Sequence, residues 1–112
     1  MVLDTRWDNM LIEAQYKEGD TITIKLSTGE ELVAKLKEEN ENVIKVKTPL
    51  TLVMGPKGLG LQQFLFTADP DKTFTFKQSN IIMVTKTIKQ FAEVYQSQTS
   101  SIVTAPPNLQ VK

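Results

Sequence analysis

The side chains with the greatest capacity for chemistry are glutamates in two clusters. The clusters are Glu30-Glu31 and Glu38-Glu39-Glu41. Paired carboxylates act as general acid and base only when burial or a neighbouring charge separates their pKa values. Both clusters lie in polar stretches typical of turns and solvent-facing strand positions, where charges aid solubility and protect strand edges. We therefore expect no catalytic site and no metal site at these glutamates.

A glycine-rich segment, Gly55-Pro56-Lys57-Gly58-Leu59-Gly60, invites comparison with a phosphate-binding loop. Such a loop needs glycines for close backbone approach to an anion and ends in Gly-Lys-Ser/Thr before a helix. Here Lys57 precedes Gly58, and a strand-like segment follows. A hairpin turn is the better prediction.

The chain contains no cysteine and no histidine. Thiol nucleophiles, disulfides, zinc sites of the usual ligand set and the most common general base are thereby excluded. We expect a protein that is not an enzyme and uses no cofactor.

A length of 112 residues predicts one domain with a modest core. No apolar run approaches the ~18 residues needed to cross a bilayer, and residues 1–4 lack a basic, apolar leader, so we expect no membrane partner and a cytoplasmic location.

The net charge is zero, yet residues 1–41 hold ten acids and five bases, and residues 42–112 hold three acids and eight bases. This asymmetry can create a basic face or complementary edges between subunits.

Three consecutive strands are predicted between Asp20 and Lys47. Apolar and polar residues alternate from Thr21 to Leu26 and again from Glu31 to Leu36, as in half-buried strands. Ser27-Thr28-Gly29 forms the first turn, and a polar cluster before Val43 forms the second.

Two helices are predicted by apolar residues with helical spacing. The first covers Asp4–Tyr16, with Trp7, Met10, Leu11 and Ala14 on one face, and the second runs from Thr87 to about Gln98. The Ser/Thr-rich segment 99–112 is predicted to be a disordered tail. Further short strands, linked by a tight turn, are expected at Thr73–Phe76 and Ile81–Val84. Segment 48–72 is predicted to be an inserted β arm, in which Leu50–Met54 can prolong the third strand and Leu59–Phe66 returns as its hairpin partner.

The motif order resembles that of the Sm/LSm proteins, especially their bacterial Hfq branch. Ile22–Gly29 is similar to the family's apolar-x-apolar-x-Leu-x-x-Gly, Leu32–Leu36 to its small-x-apolar, and Asn40–Ile44 to its Asp-x-x-apolar. Phe76-Lys77-Gln78 before an apolar strand is similar to the Tyr-Lys-His motif of the Hfq branch. The chain is also similar to small Sm-like proteins carried by marine cyanophages, which would place it in a host cytoplasm.

The resemblance implies a mainly β fold, namely a small five-stranded, strongly bent antiparallel barrel with an N-terminal helix, to which this chain adds a C-terminal helix. Residues 1–98 would form this domain. In the family, the loops after the second and fourth strands lie side by side on the inner rim of a ring and hold a base. The residues implied for RNA binding at that rim are Asn40, Asn42, Lys77 and Gln78. Asn42 stands where a stacking residue is common, and Gln78 replaces a histidine.

Assembly is also predicted from the pattern itself, because Ile81–Val84 is apolar on both faces and a sheet edge of this kind needs a partner. Pairing it with an exposed strand of the next copy closes into a ring when the rotation permits. The resemblance implies about five to seven subunits. We expect a homo-oligomeric ring that binds single-stranded RNA, or alternatively a ring that serves as a structural or protein-interaction module without RNA binding.

Overall fold

The computed structural model describes residues 16–104 and is mainly β, as predicted. Six strands precede one helix: β1 (Thr21–Leu26), β2 (Glu31–Glu39), β3 (Val43–Gly55), β4 (Gly58–Gln63), β5 (Thr73–Lys77), β6 (Ile81–Lys86) and α1 (Lys89–Thr104). A three-residue 3-10 helix, Gln78–Asn80, connects β5 to β6. The predicted N-terminal helix lies outside the described residues except for Tyr16, which is not helical.

All strand pairs are antiparallel, in the order β4-β3-β2-β1-β6, with β5 also paired to β3. The count of five strands was wrong, because the return strand of the arm joins the same sheet as β4. A closed barrel is also not formed by the described strands, since no pairing joins β5 to β6. The intervening 3-10 helix separates these two strands, where the sequence suggested a tight turn.

The main core fills one face of the sheet, which we call the inner face. Its eight buried residues are those that the alternating pattern places on one side of the first three strands: Ile22, Ile24, Leu26, Leu32, Ala34, Leu36, Ile44 and Val46. Phe74 and Phe76 of β5 pack against them. Each large aliphatic side chain buried in this way stabilises the fold by roughly 1.5–3 kcal/mol. Irregular pairing interrupts β2 on both sides of Leu36, which is where such a sheet bends.

A smaller cluster lies on the opposite, outer face, where α1 packs. Val33, Leu50 and Leu61 of the sheet surround Tyr95, which is 3% exposed. The Tyr95 hydroxyl donates to the carbonyl oxygens of Lys47 at 3.0 Å and Thr48 at 2.9 Å. The helix ends at Thr104, so it extends six residues into the segment that was predicted to be a disordered tail. Residues 105–112 lie outside the described chain.

The strand β3 is long because it continues through a bend. Its first half pairs with β5 and its second half pairs with β4, both on the edge away from β2. Between the halves, Thr48 has a φ of 46°, in the left-handed region, and Pro49 follows it. The second half of β3 and β4 form a hairpin, which we call the arm.

Candidate nucleic-acid interface

The loop between β2 and β3 is built by Asn40. Its side-chain oxygen, Oδ1, accepts hydrogen bonds from the backbone N–H groups of Asn42 at 2.8 Å and Val43 at 3.0 Å. Asparagine favours tight turns for this reason, since its short side chain substitutes for a backbone acceptor. The Asn40 N–H also donates to the Val43 carbonyl at 2.9 Å, which closes the turn.

The second predicted loop lies against the first. Lys77, the last residue of β5, pairs with Val43, so the end of β5 reaches the start of β3. The Gln78 N–H then donates to the Asn42 carbonyl at 2.9 Å, and its side-chain Nε2 donates to the Asn40 carbonyl at 3.0 Å. The structure therefore brings all four predicted residues together, although they come from segments 35 or more positions apart.

Glu39, a carboxylate that the sequence pattern assigned to the solvated surface, binds to this group. Glu39 Oε2 accepts from Gln78 Nε2 at 2.8 Å, and Glu39 Oε1 accepts from the Tyr16 hydroxyl at 2.7 Å. Glu39 is exposed, as expected of that cluster, but it has a structural role. No periodic signal could have found it, because its partners are 23 and 39 residues away.

The environment of Tyr16 is altered by this contact. Partial burial, the hydrogen bond to Glu39 and the negative charge of Glu39 together raise the pKa of Tyr16 to about 12. The phenol therefore stays protonated and keeps donating to Glu39 over the whole neutral range. Tyr16 also packs against the inner core, so it ties the segment before β1 to the end of β2.

These bonds divide the four predicted residues by what they can still contact. Lys77 is exposed, and none of the described acidic side chains lies within ion-pair distance of it. The side chain of Asn42 is exposed and is not hydrogen-bonded to the described residues. Asn40 retains its amide N–H₂ group and Gln78 retains its Oε1, because their other polar atoms hold the two loops together.

The charge around the site is mixed. Lys45 Nζ lies 3.9 Å from Glu38 Oε1, and both side chains are well exposed, so this pair contributes little to stability. Glu39 binds to Gln78, the residue after Lys77, and the exposed Glu41 lies between Asn40 and Asn42 in the first loop. The group can thus contact a phosphate through the Lys77 ammonium group and a base edge through amide groups, but one chain offers no net positive charge there.

The other segments considered for chemistry have structural roles. The Thr28 hydroxyl donates to Glu30 and holds the pKa of that exposed carboxyl below its ordinary value, within the β1–β2 turn. Gly55 and Gly58 close the two-residue turn of the arm, with Gly58 at a φ of 114°, so the hairpin prediction is confirmed. In the part of the chain that the structure describes, no three His, Cys, Asp or Glu side chains are grouped as metal ligands would be.

Two strand edges near the site are free within the described sheet. Strand β5 pairs only with β3, and β6 pairs only with β1. On β6, Ile82 and Met83 are 64% and 57% exposed, which confirms that this strand presents apolar side chains to the outside.

Comparison with known proteins adds no assignment: no protein-family model and no curated protein matches the chain. Between residues 16 and 104, no helix is long and apolar enough to span a membrane.

Proposed function

We propose that this chain forms a closed homo-oligomeric ring by pairing β6 with β5 of the next copy, and that the ring binds single-stranded RNA at the loops around Asn42 and Lys77. Five to seven subunits is the number that the Sm/LSm resemblance implies. The observation that carries the proposal is the contact between the two loops, in which Gln78 bonds to Asn40 and Asn42.

The assembly is supported by the two free edges. Unpaired strand edges invite association, and β6 lacks the charged residues that usually prevent it until Lys86. Because β5 and β6 are different surfaces, their pairing is heterologous, and repetition of one rotation generates a ring when that rotation closes. Burial of Ile82 and Met83 would stabilise such an interface.

The RNA contact assigns a different role to each of the four residues. Lys77 binds a phosphate, and Asn42 together with the free Oε1 of Gln78 contacts a base edge. Asn40 holds the loop and offers only its amide N–H₂ group. A site of this kind is weak because it lacks a stacking aromatic, for which base stacking would contribute ~1–3 kcal/mol. Several copies around a ring multiply weak contacts through avidity.

The test is a fluorescence anisotropy titration of short U-rich and A-rich RNA at low and moderate salt. We expect salt-dependent binding, and we expect Lys77→Gln to weaken it and to reduce the salt slope by about 0.7 for each phosphate that the lysine no longer neutralises. Lys57→Gln is the matched control, because Lys57 is another exposed lysine and lies in the turn of the arm. Absence of binding at low salt, or equal effects of both substitutions, would refute the RNA site.

A second function is favoured by Glu39, whose negative charge opposes polyanion binding. The ring would then be a structural or protein-interaction module that uses its exposed apolar residues. Light scattering distinguishes the outcomes when combined with the titration. A ring that does not bind RNA supports the module, and a monomer contradicts both functions.

A further inference from the structure

Several apolar side chains remain exposed at two places that the core does not use. The first is the connection from β4 to β5, where Leu65 is 43% and Phe66 is 69% exposed. The second is the connection between β6 and α1, where Ile88 is 59% exposed. Large exposed apolar groups near free strand edges indicate an interface.

The position of the first place follows from the pairing of β3. Strands β4 and β5 lie end to end along one edge of β3, since Gln63 pairs with Leu50 and Thr73 pairs with Lys47. The connection containing Leu65 and Phe66 therefore begins and ends at the Thr48–Pro49 bend. The Phe64 N–H confirms this placement by donating to the Pro49 carbonyl at 3.3 Å.

The direction of the neighbouring strand determines what arrives there. Every pair in this sheet is antiparallel, and a neighbour's β6 that continues the sheet on β5 would be antiparallel too. Its first residue would then lie beside Lys77 and its last residue beside Thr73. A strand of six residues spans about 20 Å against about 16 Å for the five residues of β5, so the neighbour's chain continues past Thr73.

We infer that Leu65 and Phe66 of one subunit pack against Ile88 of the next subunit. Ile88 follows β6 by only two residues, so antiparallel pairing delivers it to the β4–β5 connection, whereas parallel pairing would carry it away. This contact rests on the proposed ring and adds to it a second interface, formed by side chains. It explains why apolar residues are exposed at both places.

Cross-linking tests the inference directly, because the chain has no cysteine of its own. In the 112-residue chain, the double variant Phe66→Cys/Ile88→Cys treated with a short bis-maleimide should give a ladder of covalent species up to the ring size. Each single variant should stop at the dimer, since one cysteine per subunit cannot extend a chain of links. The pair Lys57→Cys/Ile88→Cys is the control, because Lys57 lies at the far end of the arm, and it should give no ladder.

The outcomes separate this contact from the ring itself. Suppose that light scattering shows a ring, but Phe66→Cys/Ile88→Cys gives no ladder or the control pair gives an equal one. The contact of Ile88 with Leu65 and Phe66 would then be contradicted, and the ring would not. A monomer would overturn both. As a second measurement, Phe66→Ser or Ile88→Ser should raise the subunit dissociation constant roughly tenfold to a hundredfold, whereas Lys57→Ser should leave it unchanged.

Discussion

Removal of one hydroxyl group, by Tyr95→Phe, should measurably destabilise the protein. Tyr95 is 3% exposed, and its hydroxyl serves the carbonyls of Lys47 and Thr48 at 3.0 and 2.9 Å. The substitution keeps the aromatic ring and its packing but leaves these two carbonyls without that donor. A shared proton counts as about one hydrogen bond, and removal of a buried partner adds a desolvation cost, so we expect a decrease of about 1–2 kcal/mol in the free energy of unfolding.

Tyr16→Phe is the matched control, since it removes the same atom from the only other tyrosine of the sequence. That hydroxyl donates to Glu39 in an exposed setting, where water can replace the hydrogen bond, so the decrease should be less than half as large. Urea unfolding at one fixed protein concentration measures both, and the midpoint for Tyr95→Phe should fall by about 0.5–1 M with an unchanged m value. Equal decreases from the two variants, or no decrease from Tyr95→Phe, would refute the role assigned to this hydroxyl in holding α1 against the bend of β3.

Two further predictions concern alkaline pH and backbone conformation. Burial raises the pKa of Tyr95 to about 12, and the pKa of Tyr16 is also about 12, so the folded state holds protons that the unfolded state releases near pH ~10. The contribution of these two groups to the free energy of unfolding is therefore fully present below pH ~10 and is lost as the pH rises through 12. Urea unfolding measures this loss, and tyrosinate absorbance follows the ionisation. Tyrosines of the native protein that titrate near pH ~10 would contradict the prediction. Gly29→Ala should destabilise by about 1–3 kcal/mol because Gly29 has a φ of 111°, although a Cβ there meets no atom within 4 Å. Gly60→Ala, which has equal space and no positive φ, should be close to neutral in the same unfolding assay.

The strands around the core could be predicted from the sequence because alternation and burial agree there. Strand β1 has the bounds Thr21–Leu26 that the pattern indicated. The expectation that Leu50–Met54 prolongs the third strand is confirmed by β3, although Pro49 by itself suggests a break. The chain instead bends at Thr48, whose hydroxyl donates to the Pro70 carbonyl at 3.3 Å, and then resumes pairing. Tertiary contacts decided that outcome, and local propensity did not reveal them.

The end of α1 was mispredicted for a related reason. Serine and threonine from residue 99 onward are typical of a disordered tail, but Thr99 Oγ1 bonds back to the Tyr95 carbonyl at 2.9 Å, which a helix permits. Gln98 Nε2 also donates to the Leu61 carbonyl of the arm at 3.0 Å. The helix is therefore held by the β3–β4 hairpin, whose position is set by contacts distant in sequence.

Within the candidate site, residue identity and residue role were predictable to different degrees. The resemblance placed Asn40, Asn42, Lys77 and Gln78 in adjacent loops, and their backbone contacts confirm the adjacency. It did not indicate that Gln78 would use its amide N–H₂ group to bind Glu39. A polar side chain in a turn can bind a ligand or brace the turn, and only the three-dimensional partners distinguish these roles.

Glu39 has a consequence for how the proposed ring would bind RNA. Within the described part of one chain, Glu39 and the exposed Glu41 of the loop outnumber Lys77, so an isolated chain has little attraction for phosphate. Binding would then depend on several Lys77 ammonium groups acting on one strand, which requires the assembled ring. Replacing Glu39 with an uncharged residue to raise the affinity for RNA would also remove its hydrogen bonds to Tyr16 and Gln78. In the proposed ring, RNA binding would thus depend on assembly, and a variant that disrupts the β5–β6 pairing should lose RNA binding even though its loops remain intact.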